Sequence, residues 1–210
     1  MLHRLALATA LSLLCLSAVA VPARAQEAPK IADNAQNPPP KAPLNRYQRF
    51  ELAPVAMGAP YTEHETNRVA LERLQANIDL RAKPVVDEWN AKAAAGGRTL
   101  KIQPEIRYIR FITGGKRFWG GAFAGDSAIL LKVRMADAAS GEVIAEPEFY
   151  QRANAMGAAW SFGATDKHML IRMSAMLEHY LRSNYTAAVG GPVAVAPGHE
   201  EAAEDDGKNK

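Results

Sequence analysis

Five histidines are the first residues to weigh as catalysts or metal ligands: His3, His64, His168, His179 and His199. His168 and His179 lie eleven positions apart, about three turns along a helix, so they do not share one ion. No His-Glu-x-x-His run or comparable cluster occurs. His64, between Glu63 and Glu65, reads as part of a solvated helix start; a remote assembly with His168 is the one pairing left open. Acid–base chemistry with two carboxylates needs them across a cleft. The local candidates are Asp126, Asp137, Glu142, Glu146 and Glu148. Asp126 follows a glycine and Asp137 opens a turn, where a short acid accepts bonds from nearby backbone amides without doing chemistry. Ser127, Ser140, Ser161 and Ser174 sit in no nucleophile-elbow sequence. The residues name no reaction.

The other chemistry-bearing stretch is rich in glycine. Gly114, Gly115, Gly120, Gly121 and Gly125 are interleaved with Lys116, Arg117, Phe118, Trp119 and Phe123. A phosphate-cradling loop needs Gly-x-x-x-x-Gly-Lys-Ser/Thr, and here Lys116 is followed by arginine. The dinucleotide pattern Gly-x-Gly-x-x-Gly is missing as well, and a strand rather than a helix is expected next. These glycines read as a structural loop that lets the backbone bend and pack closely. Lys116, Arg117, Phe118, Trp119 and Phe123 are its candidate contact residues, since aromatic and arginine side chains anchor interfaces. No catalytic residue, cofactor-binding residue or metal ligand is assigned.

The elements that position this loop lie within Leu100 to Tyr150. From Glu105 to Ile112 side chains alternate: Ile106, Tyr108, Arg110 and Ile112 on one face, Arg107, Ile109 and Phe111 on the other. Pro104, without an amide donor, is expected before the ladder or at an edge or bulge. Ser127, Ile129, Leu131, Val133 and Met135 share one face of the next strand, with Lys132 and Arg134 on the other. Gly141 suits a tight turn, and Val143 to Tyr150 returns antiparallel.

Before the sheet, Tyr47 to Leu52 alternates and predicts a first strand ending near Pro54, with Ala53 to Pro60 turn-like. A helix follows from about Thr62, with Val69, Leu71, Leu74 and Ile78 as its apolar stripe and Arg68–Glu72 as an i,i+4 ion pair. Pro84 predicts a kink or restart. Val85, Val86 and Trp89 resume the apolar face, and Gly96-Gly97 is a stop. Gln151 to Thr165 is too broken by glycine for a helix and is expected to cover one end of the sheet. After a cap at Thr165 or Asp166, Met169, Met173, Met176, Leu177, Tyr180 and Leu181 predict a helix packed on the sheet as a second layer. Asn184-Tyr185-Thr186 fits an N-glycosylation pattern.

The ends carry targeting and tether signals. His3 and Arg4 precede an apolar run from Leu5 to Val21, and Ala23-Arg24-Ala25 supplies a signal-peptidase site, so residues 1–25 read as a secretory signal. Cys15 follows the bulky Leu14, unlike a lipoprotein site. Cleavage before Gln26 leaves a chain without cysteine, hence without disulfides or thiolate ligands. It also leaves 23 basic against 22 acidic residues, the 25 of the whole chain less Arg4 and Arg24. No basic run resembles a nucleic-acid footprint. Residues 26–45 read as a flexible linker, 46–187 as the folded domain, and 188–210, with its Glu200–Asp206 acidic cluster, as a disordered tail. The chain after the signal is expected to contain no membrane span, a composition compatible with peripheral attachment.

Ile109-Arg-Phe-Ile112, Trp119-Gly-Gly-Ala-Phe-Ala-Gly125, Asp126 to Asp137 and Ser140-Gly-Glu-Val-Ile144 occur in that order. Together they resemble bacterial exported proteins of the DUF4410 family, over roughly Tyr47 to Tyr185. The resemblance implies a compact envelope-associated domain, often in lipoproteins, with no established reaction. The missing lipobox departs from that pattern. It is similar, more distantly, to small sheet-and-helix domains of outer-membrane assembly and secretion factors. The expected fold is α/β (α+β), a two-layer sheet-and-helix domain in the order β-α-β-β-β-α. The expected role is an exported, periplasmic or outer-membrane-associated interaction or structural module with an envelope protein partner and no cofactor, non-catalytic rather than enzymatic. The alternative is a small-ligand-binding protein, or a periplasmic hydrolase, with Asp126, Arg110 or Lys116 converging on a pocket.

Overall fold

The structure, a computed structural model, describes residues 28–32, 34–93, 96–111, 127–153 and 164–195. Over these residues it is a two-layer α/β domain, with two helices among the described residues packed on one face of a multi-stranded sheet. The main strands are β2 (Arg49–Leu52), β4 (Thr99–Arg110) and β5 (Ser127–Asp137). Short strands complete it: β3 (Ala56–Met57), β6 (Val143–Ala145) and β7 (Glu148–Ala153). The helices are α1 (Glu65–Ala91) and α2 (Ala164–Thr186). A two-stranded ribbon joins β1 (Gln36–Asn37) to β8 (Gly191–Pro192). β2 and β3 run parallel to β4, and α1 is the crossover that parallel pairing requires. β5 is antiparallel to β4 on one side and to β6 and β7 on the other. The order expected from sequence holds, with the returning strand divided in two around Pro147.

The alternation in β5 is obeyed throughout. Ser127, Ile129, Leu131, Val133 and Met135 are all wholly buried toward the helices. Opposite them, α1 presents Leu74, Ile78, Ala82, Val85 and Val86, and α2 presents Met169, Met173, Met176, Leu177, Tyr180 and Leu181. The methionine stripe is core.

β4 departs from simple alternation. Ile106 pairs with Leu131 but Tyr108 pairs with Leu130, which leaves Arg107 as one extra residue. Such a bulge inverts the faces beyond it. Ile106, Ile109 and Phe111 therefore join the helix-facing core, whereas Tyr108 turns outward with Ala128, Tyr150 and Val193. Grouping Ile106 with Tyr108 is thus corrected. Pro104 lies inside the strand, opposite Val133. The Ala53 amide donates to the Ile102 carbonyl at 2.9 Å, so even-numbered groups of this stretch face the β2/β3 side. Pro104 falls at the break between those two strands, where the ladder calls for no donor.

In α1 the buried stripe is Asn67, Ala70, Leu74, Ile78, Ala82, Val85, Val86 and Trp89, and Val69 is on the exposed side. Alanines carry much of the contact that valine was expected to make. Arg68 donates to the Thr62 carbonyl at 2.8 Å, and ion pairs at i,i+4 join Lys83 to Asp87 and Glu88 to Lys92 instead. Pro84 does not restart the helix. It lies on the exposed face, and the Leu80 carbonyl it leaves without a donor is beside a side chain 71% exposed, where water can serve.

Structure also extends into both segments expected to be free. Within 26–45, Gln36–Asn37 is β1 and Leu44 is wholly buried; within 188–210, Gly191–Pro192 is β8 and Val193 is buried. The cause is a set of asparagine amides that replace backbone partners. Asn37 Oδ1 accepts from the Glu148 amide at 2.7 Å, and its Nδ2 donates to the Glu148 and Pro192 carbonyls. At the opposite edge Asn90 Oδ1 accepts from the Phe50 amide at 2.9 Å, while its Nδ2 donates to the Phe50 carbonyl at 2.8 Å. An edge strand closed this way offers less to a foreign strand. Asn184 does the same at the end of α2: Nδ2 donates to Tyr180 and Gly190 carbonyls, and Oδ1 accepts from the Val189 and Gly190 amides. It is wholly buried, so the glycosylation reading of Asn184 is corrected: its amide is already committed to the cap.

Candidate functional site

The titratable residues singled out above are dispersed over the fold. His64 occupies the N-cap position of α1, exposed, and His168 and His179 are exposed on α2, where His179 Nε2 is 3.3 Å from the Ser183 hydroxyl. Glu142 pairs with Lys41 at 3.1 Å and Glu146 with Lys132 at 3.1 Å. Ser127 is wholly buried and Ser174 donates to the Ile171 carbonyl. Among the described residues, no group of three or more His, Cys, Asp or Glu is placed to hold a metal ion. Asp126 and Ser161 lie outside the described residues.

Asp137 is the most heavily bonded carboxylate described, and its partners are structural. Oδ1 accepts from the Ser140 amide at 2.9 Å, the Ala139 amide at 3.0 Å and the Ser140 hydroxyl at 3.1 Å. Oδ2 accepts from Arg98 Nε at 3.0 Å, and the Arg98 guanidinium lies over the Tyr47 ring. The amide of Ser140 contributes most to holding this carboxyl at about 2, below its ordinary 3.8; burial opposes it, and Arg98, the Ala139 amide and the Ser140 hydroxyl reinforce it. The folded value is the lower one, so the contribution to stability is complete above 3.8 and disappears as pH falls through about 2. An Asp137→Asn variant should be less stable at neutral pH and approach the parent chain in acid. Urea midpoints at pH 7 and pH 2 check this; a constant gap between the two proteins would show that Asp137 does not stabilise through its charge. Gly141 closes the same turn at φ +73°.

A different end of the sheet gathers the loops. Arg110, the last residue of β4, pairs with Ala128, and Ser127, the first of β5, pairs with Ala153, the last of β7. The start and end of segment 112–126 and the start of segment 154–163 are therefore attached at neighbouring strand ends. Lys116, Arg117, Phe118, Trp119 and Phe123 lie outside the described residues, as do Gly114, Gly115, Gly120, Gly121 and Gly125. Around the bases of these segments stand Arg110 and Arg152, both exposed, and Arg172, partly buried, whose Nε donates to Gln151 Oε1 at 2.8 Å. Burial pushes the Arg172 guanidinium down and the Tyr108 hydroxyl up, the latter offset by Arg110 nearby. Tyr61 meets Tyr108 edge to face, with ring centroids 6.1 Å apart.

The helices share this polarity. Trp89 near the end of α1 stacks on Tyr185 near the end of α2, at 4.3 Å and 20°, and Phe50 packs on the same indole at 4.9 Å. Both helices thus finish at the far end of the sheet and begin toward the loop end. Among the described residues no helix is long and apolar enough to cross a membrane. Sequence pattern marked both the glycine-rich segment and Gln151 to Thr165, but not that the strand ends bearing them are neighbours, because that juxtaposition follows from strand register rather than from spacing.

No family model and no curated protein matches the chain. Among solved structures, it is similar to the PelC dodecamer from Paraburkholderia phytofirmans at 13% identity, covering 73% of this chain and 96% of that one with a TM-score of 0.36. It is also similar to a Xanthomonas campestris protein described as DUF330, at 13% identity over 69% and 88% of the two chains, TM-score 0.36. A hypothetical protein of Chlamydia trachomatis matches at 10% identity over 64% and 92%, with a TM-score of 0.32. Scores and identities of this size assign neither a family nor a role.

Proposed function

We propose that this chain is an exported protein of the bacterial envelope, periplasmic or associated with the outer membrane, that works by contact rather than catalysis. The supporting observation is the strand register that brings the bases of segments 112–126 and 154–163 together at one end of the sheet. Those segments contain Phe118, Trp119, Phe123, Trp160 and Phe162 with Lys116 and Arg117, a composition suited to interface anchors. The ordered likeness to the DUF4410 family and the leader at residues 1–25 point to the compartment. The partner under this reading is another envelope protein.

The test is a double substitution, Arg117→Ala with Trp119→Ala, read by cross-linking in intact envelopes and by urea denaturation of the purified protein. Loss of a specific cross-linked species with an unchanged midpoint is the expected result. Hot-spot side chains contribute about 2 kcal/mol or more each, so removing both should lower affinity on the order of 1,000-fold. Unfolding of the variant would place Trp119 in the core instead. An unchanged cross-link would remove this loop from the interface.

A further inference from the structure

We infer that the exposed face of α1 is a self-complementary seam, on which two copies of this chain associate weakly and antiparallel about a two-fold axis at Leu80. At about 100° per residue, Val69, Arg73, Ala76, Pro84, Asp87 and Ala91 all fall within about 40° of Leu80 around the helix. Each of them is exposed, and Leu80 is 71% exposed. Leu74, Ile78, Ala82 and Val85, which pack in the core, occupy the opposite side. The seam therefore faces away from the sheet, and runs for about 33 Å of helix.

A single exposed leucine is ordinary. The order of the residues on either side of it carries the inference. Counting outward from Leu80, Ala76 and Pro84 are each four positions away, Arg73 and Asp87 seven, and Val69 and Ala91 eleven. A two-fold contact places residue i against j and j against i. With the helices antiparallel, Leu80 meets its own copy, Ala76 meets Pro84, Arg73 meets Asp87 and Val69 meets Ala91. Apolar residues meet apolar ones, and the charged pair is opposite in sign and occurs twice. Other arrangements lose this match. A parallel pair sets Arg73 against Arg73, and an axis two residues earlier sets it against Lys83.

The chemistry and the size agree with a weak pair. Lys83 donates to Asp87 Oδ2 at 2.6 Å, yet the Asp87 side chain is 58% exposed, and a carboxylate accepts at both oxygens. Ala76 opposite Pro84 lets the axes approach toward the short end of the usual 8–10 Å or so. A strip about 33 Å long and 10 Å wide covers roughly 330 Å² per copy, under half of the roughly 800 Å² of a standard interface. Association is therefore concentration-dependent.

The test is sedimentation equilibrium of the chain from Gln26 onward, with the urea midpoint of every variant measured beside it. Between about 10 μM and 1 mM the parent's average mass should rise from that of one chain toward that of two. Leu80→Glu sets like charges together at the axis and should stay a single chain throughout, with its midpoint little changed. Arg73→Glu and Asp87→Lys each create a like-charged pair and should raise the dissociation constant about tenfold or more. Combined in one chain they restore opposite signs, and association should return to within about threefold of the parent. A parent that remains a single chain at 1 mM, or a Leu80→Glu variant that pairs as the parent does, would overturn the seam. A double variant as weak as either single one would overturn the antiparallel register, and the inference with it.

Discussion

Replacing Asn184 by alanine is expected to destabilise the domain by about 3–5 kcal/mol, although the residue lies in the last turn of α2 and touches no ligand. Its amide makes four hydrogen bonds of 2.8–2.9 Å, to the Tyr180 and Gly190 carbonyls and from the Val189 and Gly190 amides. The site is wholly closed to solvent. A buried backbone group left without a partner costs about 1–3 kcal/mol, and partial access of water to the exposed end of the turn lowers the sum. For a domain of this size, that loss is on the order of 10 °C in melting temperature. The consequence reaches past the helix. Gly190 sits at φ +79° with its Cα hydrogens facing the Asn37 carbonyl, so a Cβ there would meet that oxygen. Release of the turn therefore loosens β8 from β1, and with it the Asn37 seal on β7. Amide exchange at Val193 should accelerate along with the fall in the urea midpoint. A loss below about 1 kcal/mol would mean that water replaces the side chain without penalty.

What could be read from residues alone follows from how each contact is encoded. β5 was legible because five apolar or small side chains on one face alternate with Lys132 and Arg134, and one register satisfies them all. α2 was legible for the same reason at helical period. The bulge at Arg107 was not, since Ile106, Tyr108, Ile109 and Phe111 are apolar on both faces, and a one-residue slip changes no polarity. In α1, Ala70 and Ala82 are wholly buried, and a hydrophobic pattern gives alanine little weight beside Val69. The asparagine seals were invisible because each bridges distant parts of the chain: Asn37 to Glu148, Asn90 to Phe50. The same limit applies to the candidate site. The glycine-rich segment announces itself by composition, but the closeness of the strand ends that bear it and 154–163 depends on strand order. No local pattern contains that information.

Truncating Phe149 tests the two-layer arrangement directly, with an expected loss of about 3–5 kcal/mol for Phe149→Ala. Phe149 pairs with Leu131 on β7 and is 1% exposed, its ring edge-on to Tyr180 of α2 at 5.9 Å. Burial pushes the Tyr180 hydroxyl up to about 12, in keeping with a phenol enclosed by the same core. Removing the phenyl group leaves a void against a side chain that cannot follow, because Tyr180 is itself held on α2 between Met176 and Leu181. The control belongs on the other face of the same sheet. Arg134 lies between Val133 and Met135, turned away from the helices, and donates to Gln103 Oε1 at 3.2 Å and the Gly141 carbonyl at 3.3 Å. Exposed polar contacts of this kind contribute about 0–1 kcal/mol, so Arg134→Ala should shift the urea midpoint only slightly. A ratio of several-fold between the two losses is what a helix-covered position and an uncovered one require, since the outer face is covered around Tyr108, Ala128, Tyr150 and Val193 but not at Arg134. Comparable losses from the two variants would mean that the outer face is packed at Arg134 as well.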